Sequence, residues 1–164
     1  MPDGAPAKPD VVVVSSRATQ ALLDPSDPGS LSTSGMVDAL ATQWQRLVAA
    51  GIGVVVLTDN PSPPFSVYEC VAENRDNLAV CAFDRSEAVS RSAAPVQLEA
   101  AGRVPGVQIV DLTQMICPEE QCVPIIGDVL LYRQGSHLTD TYVRTLSQDL
   151  ATQLVPAVER ARKH

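Results

Sequence analysis

The sequence predicts an α/β fold: a three-layer α/β/α sandwich with a parallel sheet between two layers of helices. Three observations carry that expectation. Short β-branched runs alternate with helical patterns, giving strand, helix, strand, helix, strand, helix along the chain. The strands are apolar throughout, as burial on both faces of a parallel sheet requires. The helical segments at about 36–50 and from about Thr139 each carry an apolar stripe at helical spacing.

Residues 1–8 read as a disordered lead and 9–164 as the domain. "PDVVVV" at 9–14 is the first strand, bounded by Pro9 and by Ser15 and Ser16. The Pro-, Gly-, Ser- and Asp-rich stretch 21–35 reads as loop. A helix is expected over about 36–50, with Met36, Leu40, Trp44, Leu47 and Val48 on one face, Ser34 or Gly35 at its start and Gly51 at its end. "GVVVL" at 53–57 is the second strand. The "GIG" before it is no dinucleotide-binding loop, because it closes a helix and opens a strand instead of the reverse. Residues 84–101 read as a helix broken at Pro95, and "VQIVDL" at 107–112 as the third strand. One long helix is expected from about Thr139, with Leu138, Tyr142, Leu146, Leu150 and Leu154 every fourth residue and Pro156 kinking or ending it. Three strands are few for such a sheet, since both outer strands leave open edges, so the sandwich reads as incomplete at its N-terminus.

Of 164 residues, 45% are apolar and 19% charged, which is the composition of one globular domain. A formal net charge of -7 argues against a phosphate-binding surface, and no nucleic-acid partner is expected. No apolar run is long enough to span a bilayer. "MPDGAPAKPD" lacks the regions of a signal peptide, which alone would leave the chain cytoplasmic. The four cysteines point elsewhere. They form two local pairs in loop-like stretches, Cys70 with Cys81 and Cys117 with Cys122, which reads as disulfides made in an oxidising compartment. Both are reconciled if the chain is part of a longer exported protein.

In parallel sheets the working residues sit beyond the strands' carboxyl ends. Here these are Ser15, Ser16 and Arg17, then Thr58, Asp59 and Asn60, then the loop carrying the second cysteine pair and His137. His137, in the last loop before the final helix, has the placement of a general base. The orienting carboxylate expected one turn upstream is replaced by Gln134, which accepts a hydrogen bond but carries no charge. Asp128 and Asp140 are the nearest carboxylates, and Asp140 reads more simply as a first-turn residue favoured by the helix dipole. Ser15 and Ser16 are candidate nucleophiles or ordinary loop serines, and no Gly-x-Ser-x-Gly elbow occurs. A zinc site from Cys117, Cys122 and His137 lacks a fourth ligand, so no metal and no cofactor are expected.

"DLTQMICPEEQC" at 111–122 followed by "VLLYRQGSHLTDTYVRTLSQDL" at 129–150 resembles the end of the SGNH-type (GDSL-like) domain of bacterial membrane-bound acyltransferases that O-acylate extracytoplasmic glycans. "PDVVVVSSR", "LVAAGIGVVVLTDNP" and the Cys70, Cys81 pair resemble its middle, so nearly the whole chain is covered. The resemblance implies an SGNH-hydrolase, flavodoxin-like sheet and acyl transfer to sugar hydroxyls, with His137 at the catalytic histidine and Gln134 where the family has its aspartate. Ser15, Ser16 and Arg17 fall near the third sequence block, not at the nucleophile. The Gly-Asp-Ser nucleophile block does not occur in the chain. The expectation is therefore a truncated, catalytically degenerate acyltransferase or esterase domain of the cell envelope. Its partners would be a glycan or acyl substrate and a transmembrane acyltransferase domain in a longer chain. A glycan-binding module without catalysis, or a gene fragment, is the alternative.

Overall fold

The computed structural model describes residues 8–163. In chain order the elements are β1 (Val11–Val14), β2 (Ala21–Leu22), β3 (Leu31–Ser32), α1 (Thr33–Ala49), β4 (Gly53–Leu57), α2 (Val67–Glu73) and a 3-10 turn (Leu78–Cys81). There follow β5 (Phe83–Asp84), α3 (Arg85–Ser90), α4 (Ala94–Gly102), β6 (Gln108–Val110), α5 (Thr113–Ile116), β7 (Gln121–Cys122), β8 (Ile125–Ile126), β9 (Val129–Leu130), α6 (Asp140–Thr145) and α7 (Ser147–Ala161). The lead expected over residues 1–8 lies, apart from Lys8, outside the described residues.

The three apolar runs form one parallel sheet in the order β1-β4-β6. Val12 pairs with Val54, and Val56 with Ile109. β4 is the central strand, and period-two geometry sends its side chains alternately to two layers. Val54 and Val56 pack with Val37, Ala41 and Trp44 of α1 and Val96 and Ala100 of α4. Val55 faces the other way, onto Ala157 and Ala161 of α7. This is the α/β/α sandwich expected. Gly53 is required where α7 ends against the sheet, since a Cβ there would collide with the backbone carbonyl of Ala161. A third apolar cluster, outside the sheet, gathers both loop regions: Val67, Phe83, Cys117, Cys122, Leu131, Tyr132, Tyr142 and Leu146.

α7 lies over β4 and β6 and, among the described residues, reaches β1 at Val11 but does not cover Val13 on the same face. Val13 is accordingly 50% exposed, although its sequence neighbours are apolar and β-branched.

Several boundaries differ from the sequence expectation, each for a local reason. The loop over 21–35 contains the β2-β3 hairpin, and α1 starts three residues early because Ser32, not Ser34 or Gly35, is the N-cap, its Oγ accepting from the Gly35 N–H at 3.0 Å. Gly51 ends that helix region with φ 68°, as read. The break in 84–101 falls at 91–93 and not at Pro95, which occupies the first turn of α4, where its missing N–H costs nothing. The single helix expected from Thr139 is two, divided at Leu146. Thr139 caps the first, and Pro156 lies inside the second, which continues to Ala161. The every-fourth-residue stripe consequently splits: Tyr142 and Leu146 enter the loop cluster, while Leu150 and Leu154 pack on the sheet.

Candidate functional site

The carboxyl ends of β1 and β4 are joined by one buried side chain. Gln97, on α4 and 1% exposed, accepts from the Asp59 N–H at 2.7 Å and donates to the Ser16 carbonyl at 3.1 Å. The amide thereby fixes the spacing between the Ser15–Arg17 and Thr58–Asn60 segments. Asp59 is occupied structurally: one carboxylate oxygen accepts from the Asn60 N–H at 3.1 Å and the other from the Ala93 N–H at 3.0 Å, ahead of α4. Asn60 reaches the other way, its Nδ2 donating to the Ser136 carbonyl at 2.8 Å.

That last bond pins the turn that carries His137. Residues 133–137 are a tight turn and not the first turn of a helix. The His137 N–H donates to the Gln134 carbonyl at 3.0 Å, the Arg133 N–H donates to the His137 carbonyl at 2.9 Å, and Gly135 supplies the positive φ of 55°. Tyr132 and Leu138 bridge the base of the turn, and the Thr139 N–H donates to the Leu131 carbonyl at 2.8 Å. Beneath it, Tyr132 is fully buried, its hydroxyl donating to the Pro61 carbonyl at 2.9 Å, and burial pushes its phenol well above the ordinary range. The Cys117–Cys122 disulfide, with both cysteines buried, packs in the same cluster. Cys70–Cys81 closes the other loop region. With Cys117 and Cys122 bonded to each other, the zinc alternative has lost its thiolates, and no cluster of three or more metal-ligating side chains occurs among the described residues.

The backbone at His137 is therefore held by hydrogen bonds on both sides of the turn while its side chain is exposed. Among the described residues that side chain has one hydrogen-bond partner, Arg17, whose Nη1 lies 3.4 Å from Nε2 across 120 residues of sequence. A guanidinium only donates, so Nε2 is the acceptor in this contact. Neither candidate serine is its partner: Ser16 Oγ accepts from the Ala18 N–H at 3.1 Å, and Ser15 lines a nearby cavity. The Gln134 side chain is exposed, and its hydrogen bond with His137 among the described residues is through the backbone. Asp128 sits at φ 61° in the Gly127–Asp128 turn between β8 and β9, and Asp140 pairs with Arg144 at 2.8 Å.

Beside the turn, under the ends of β4 and β6, is a cavity of about 210 Å3, lined by Ser15, Asn60 and Leu138 together with side chains of the sheet, α6 and α7. Sequence reasoning found Arg17, Asp59, Asn60 and His137 as strand-end and loop residues. It missed Gln97, since a glutamine between Val96 and Leu98 in an amphipathic helix carries no mark of burial. It also missed that Arg17 is what faces His137.

No curated protein and no solved structure matches the chain. A family model, the SGNH domain (fused to AT3 domains), matches residues 3–152 and so spans the sheet, both disulfides, Arg17 and the His137 turn. The chain belongs to the family of SGNH domains that are fused to AT3 domains.

Proposed function

We propose that the chain serves in acyl transfer or ester cleavage related to glycan O-acylation in the cell envelope, that His137 occupies the base position, and that its own residues make a catalytically degenerate site. The observation that carries this reading is the Arg17–His137 contact at 3.4 Å. A general base needs its Nε2 lone pair turned to a hydroxyl and a carboxylate behind Nδ1. Here a cation meets Nε2, and a glutamine turned to solvent stands where the carboxylate belongs. Triad losses of that kind cost several orders of magnitude in rate.

The edge of β1, unpaired among the described residues, and half-exposed Val13 support a further part of the reading: a strand and helix carrying the nucleophile lie beside β1 in the active protein. A transmembrane acyltransferase domain is the proposed partner, and the two disulfides favour an extracytoplasmic setting. No helix among the described residues is long and apolar enough to cross a membrane. The competing reading, a binding module without catalysis, is favoured by the same occupied Nε2.

The test is hydrolysis of p-nitrophenyl acetate by residues 1–164. A rate at buffer background, unchanged in His137→Ala, supports degeneracy; turnover well above background that His137→Ala abolishes would overturn it.

A further inference from the structure

We infer that the cavity of about 210 Å3 under the ends of β4 and β6 binds a neutral aliphatic group of about five or six carbons with one hydrogen-bonding oxygen. Ile116, Leu138, Leu146 and Leu150 form its apolar wall, while Ser15, Thr58, Asn60 and Thr113 form a polar, uncharged end where the strands stop. An apolar cavity of about 150 Å3 takes up benzene, so this one admits about six to eight heavy atoms and excludes a sugar ring with its substituents.

Thr113 supplies an independent sign of a ligand. It is 8% exposed and its backbone is satisfied, the N–H donating to Asp111 Oδ1 at 2.8 Å and the carbonyl accepting from the Cys117 N–H at 2.8 Å. Its hydroxyl has no hydrogen-bond partner among the described residues, although a hydroxyl this deep in a protein ordinarily has one. The oxygen is not sealed in the core but opens where the residue lines the cavity, so a ligand atom can stand beside it.

The charge of the ligand follows from the same lining. No lysine, arginine or histidine borders the cavity, and its one ionisable side chain is Asp59. An anion there would meet a like charge and no counter-charge, which burial makes costly. A cation would compete with the Asn60 and Ala93 N–H groups that the two Asp59 oxygens already accept. What remains is an uncharged chain whose oxygen meets the Thr113 hydroxyl, a chemistry shared by an ester-linked acyl group and a free alcohol.

Binding needs no nucleophile, so the inference goes beyond the catalytic reading, and hydrolysis of p-nitrophenyl acetate is indifferent to its outcome. Hexan-1-ol, methyl pentanoate, hexanoate and hexylammonium are titrated into the 15N-labelled chain. Thr113 also borders the wider hollow beside α4, so binding is followed at the amides of Leu138 and Val143, which border this cavity and not that one. Both neutral ligands are expected to bind about tenfold or more tighter than either charged one. The tighter of the two names the source, an acyl chain if it is the ester and an alcohol if it is hexan-1-ol. Thr113→Val removes a hydroxyl that the fold does not use, so the melting temperature should not fall while both neutral ligands weaken about three- to tenfold. Val143→Trp, at a half-exposed wall position, should weaken both further while the amide spectrum stays dispersed. Charged ligands binding as tightly as neutral ones, full affinity in Thr113→Val, or no shift at Leu138 and Val143 would overturn the inference.

Discussion

Gln97→Met removes the one side chain that joins the carboxyl ends of β1 and β4 while keeping its length and nearly its volume. The lost contacts are the bond from the Asp59 N–H at 2.7 Å and the bond to the Ser16 carbonyl at 3.1 Å. A buried backbone group left without a partner costs about 1–3 kcal/mol. Both groups here are part-buried, so about 1–2 kcal/mol each is appropriate, or about 2–4 kcal/mol together. For a chain of this size that is a fall in Tm of about 4–16 °C. The assay is urea unfolding followed by circular dichroism, paired with amide spectra of residues 15–17 and 59–60. Gln97→Glu sharpens it. The carboxylate keeps the Asp59 bond but faces the Ser16 carbonyl without a proton to donate, and it is buried near Asp59. Its loss should exceed that of Met at pH 7 and shrink below about pH 5, where the acid regains a donor. If Gln97→Met stays within about 0.5 kcal/mol of the parent chain, the bridge is not what holds the two strand ends together.

Three further outcomes are expected. Tyr132 and Tyr142 both have phenols raised by burial, so the folded state keeps protons that the unfolded chain releases; stability should be level below about pH 10 and fall above it. Urea midpoints from pH 8 to 11.5 measure this, and Tyr132→Phe should flatten the fall while losing the Pro61 bond. Removing Cys117–Cys122 as a double alanine variant should cost about 2 kcal/mol, and Cys70–Cys81 about 3 kcal/mol, because the second closes the longer loop. The first variant should also broaden the His137 and Leu138 amides, since that disulfide packs under their turn, and unchanged amides would separate the disulfide from the site. Gly53→Ala forces Ala161 and the end of α7 off the sheet, so calorimetry should record a drop of several degrees, whereas an unchanged Tm would mean that α7 ends loosely.

Much of the fold was legible because its signals are local. Three β-branched runs, the Met36–Val48 stripe and Gly51 each declare an element within a few residues, and burial on both faces explains why β4 holds no polar side chain. Both cysteine pairings were legible for the same reason, since each closes a short loop. Helix starts were read less well, because Ser32 and Pro95 act through hydrogen bonds made or omitted at a particular register. The division of the last helix at Leu146 was hidden altogether: a period of four continues through it while the two halves pack on different cores.

The site divides along the same line. Sequence by itself determined that His137 stands in a loop before a capped helix, that Gln134 is no carboxylate, and that Ser15 to Arg17 and Asp59 to Asn60 follow strands. Only the tertiary structure decided that Arg17, 120 residues away, and neither serine, meets the imidazole. It also decided that Asp59 is consumed by backbone N–H groups, and that Gln97 is buried between two strand ends. These are long-range pairings of polar groups, and no periodicity records them. They arise because parallel strands end side by side, where unpaired backbone groups must find partners wherever the chain returns.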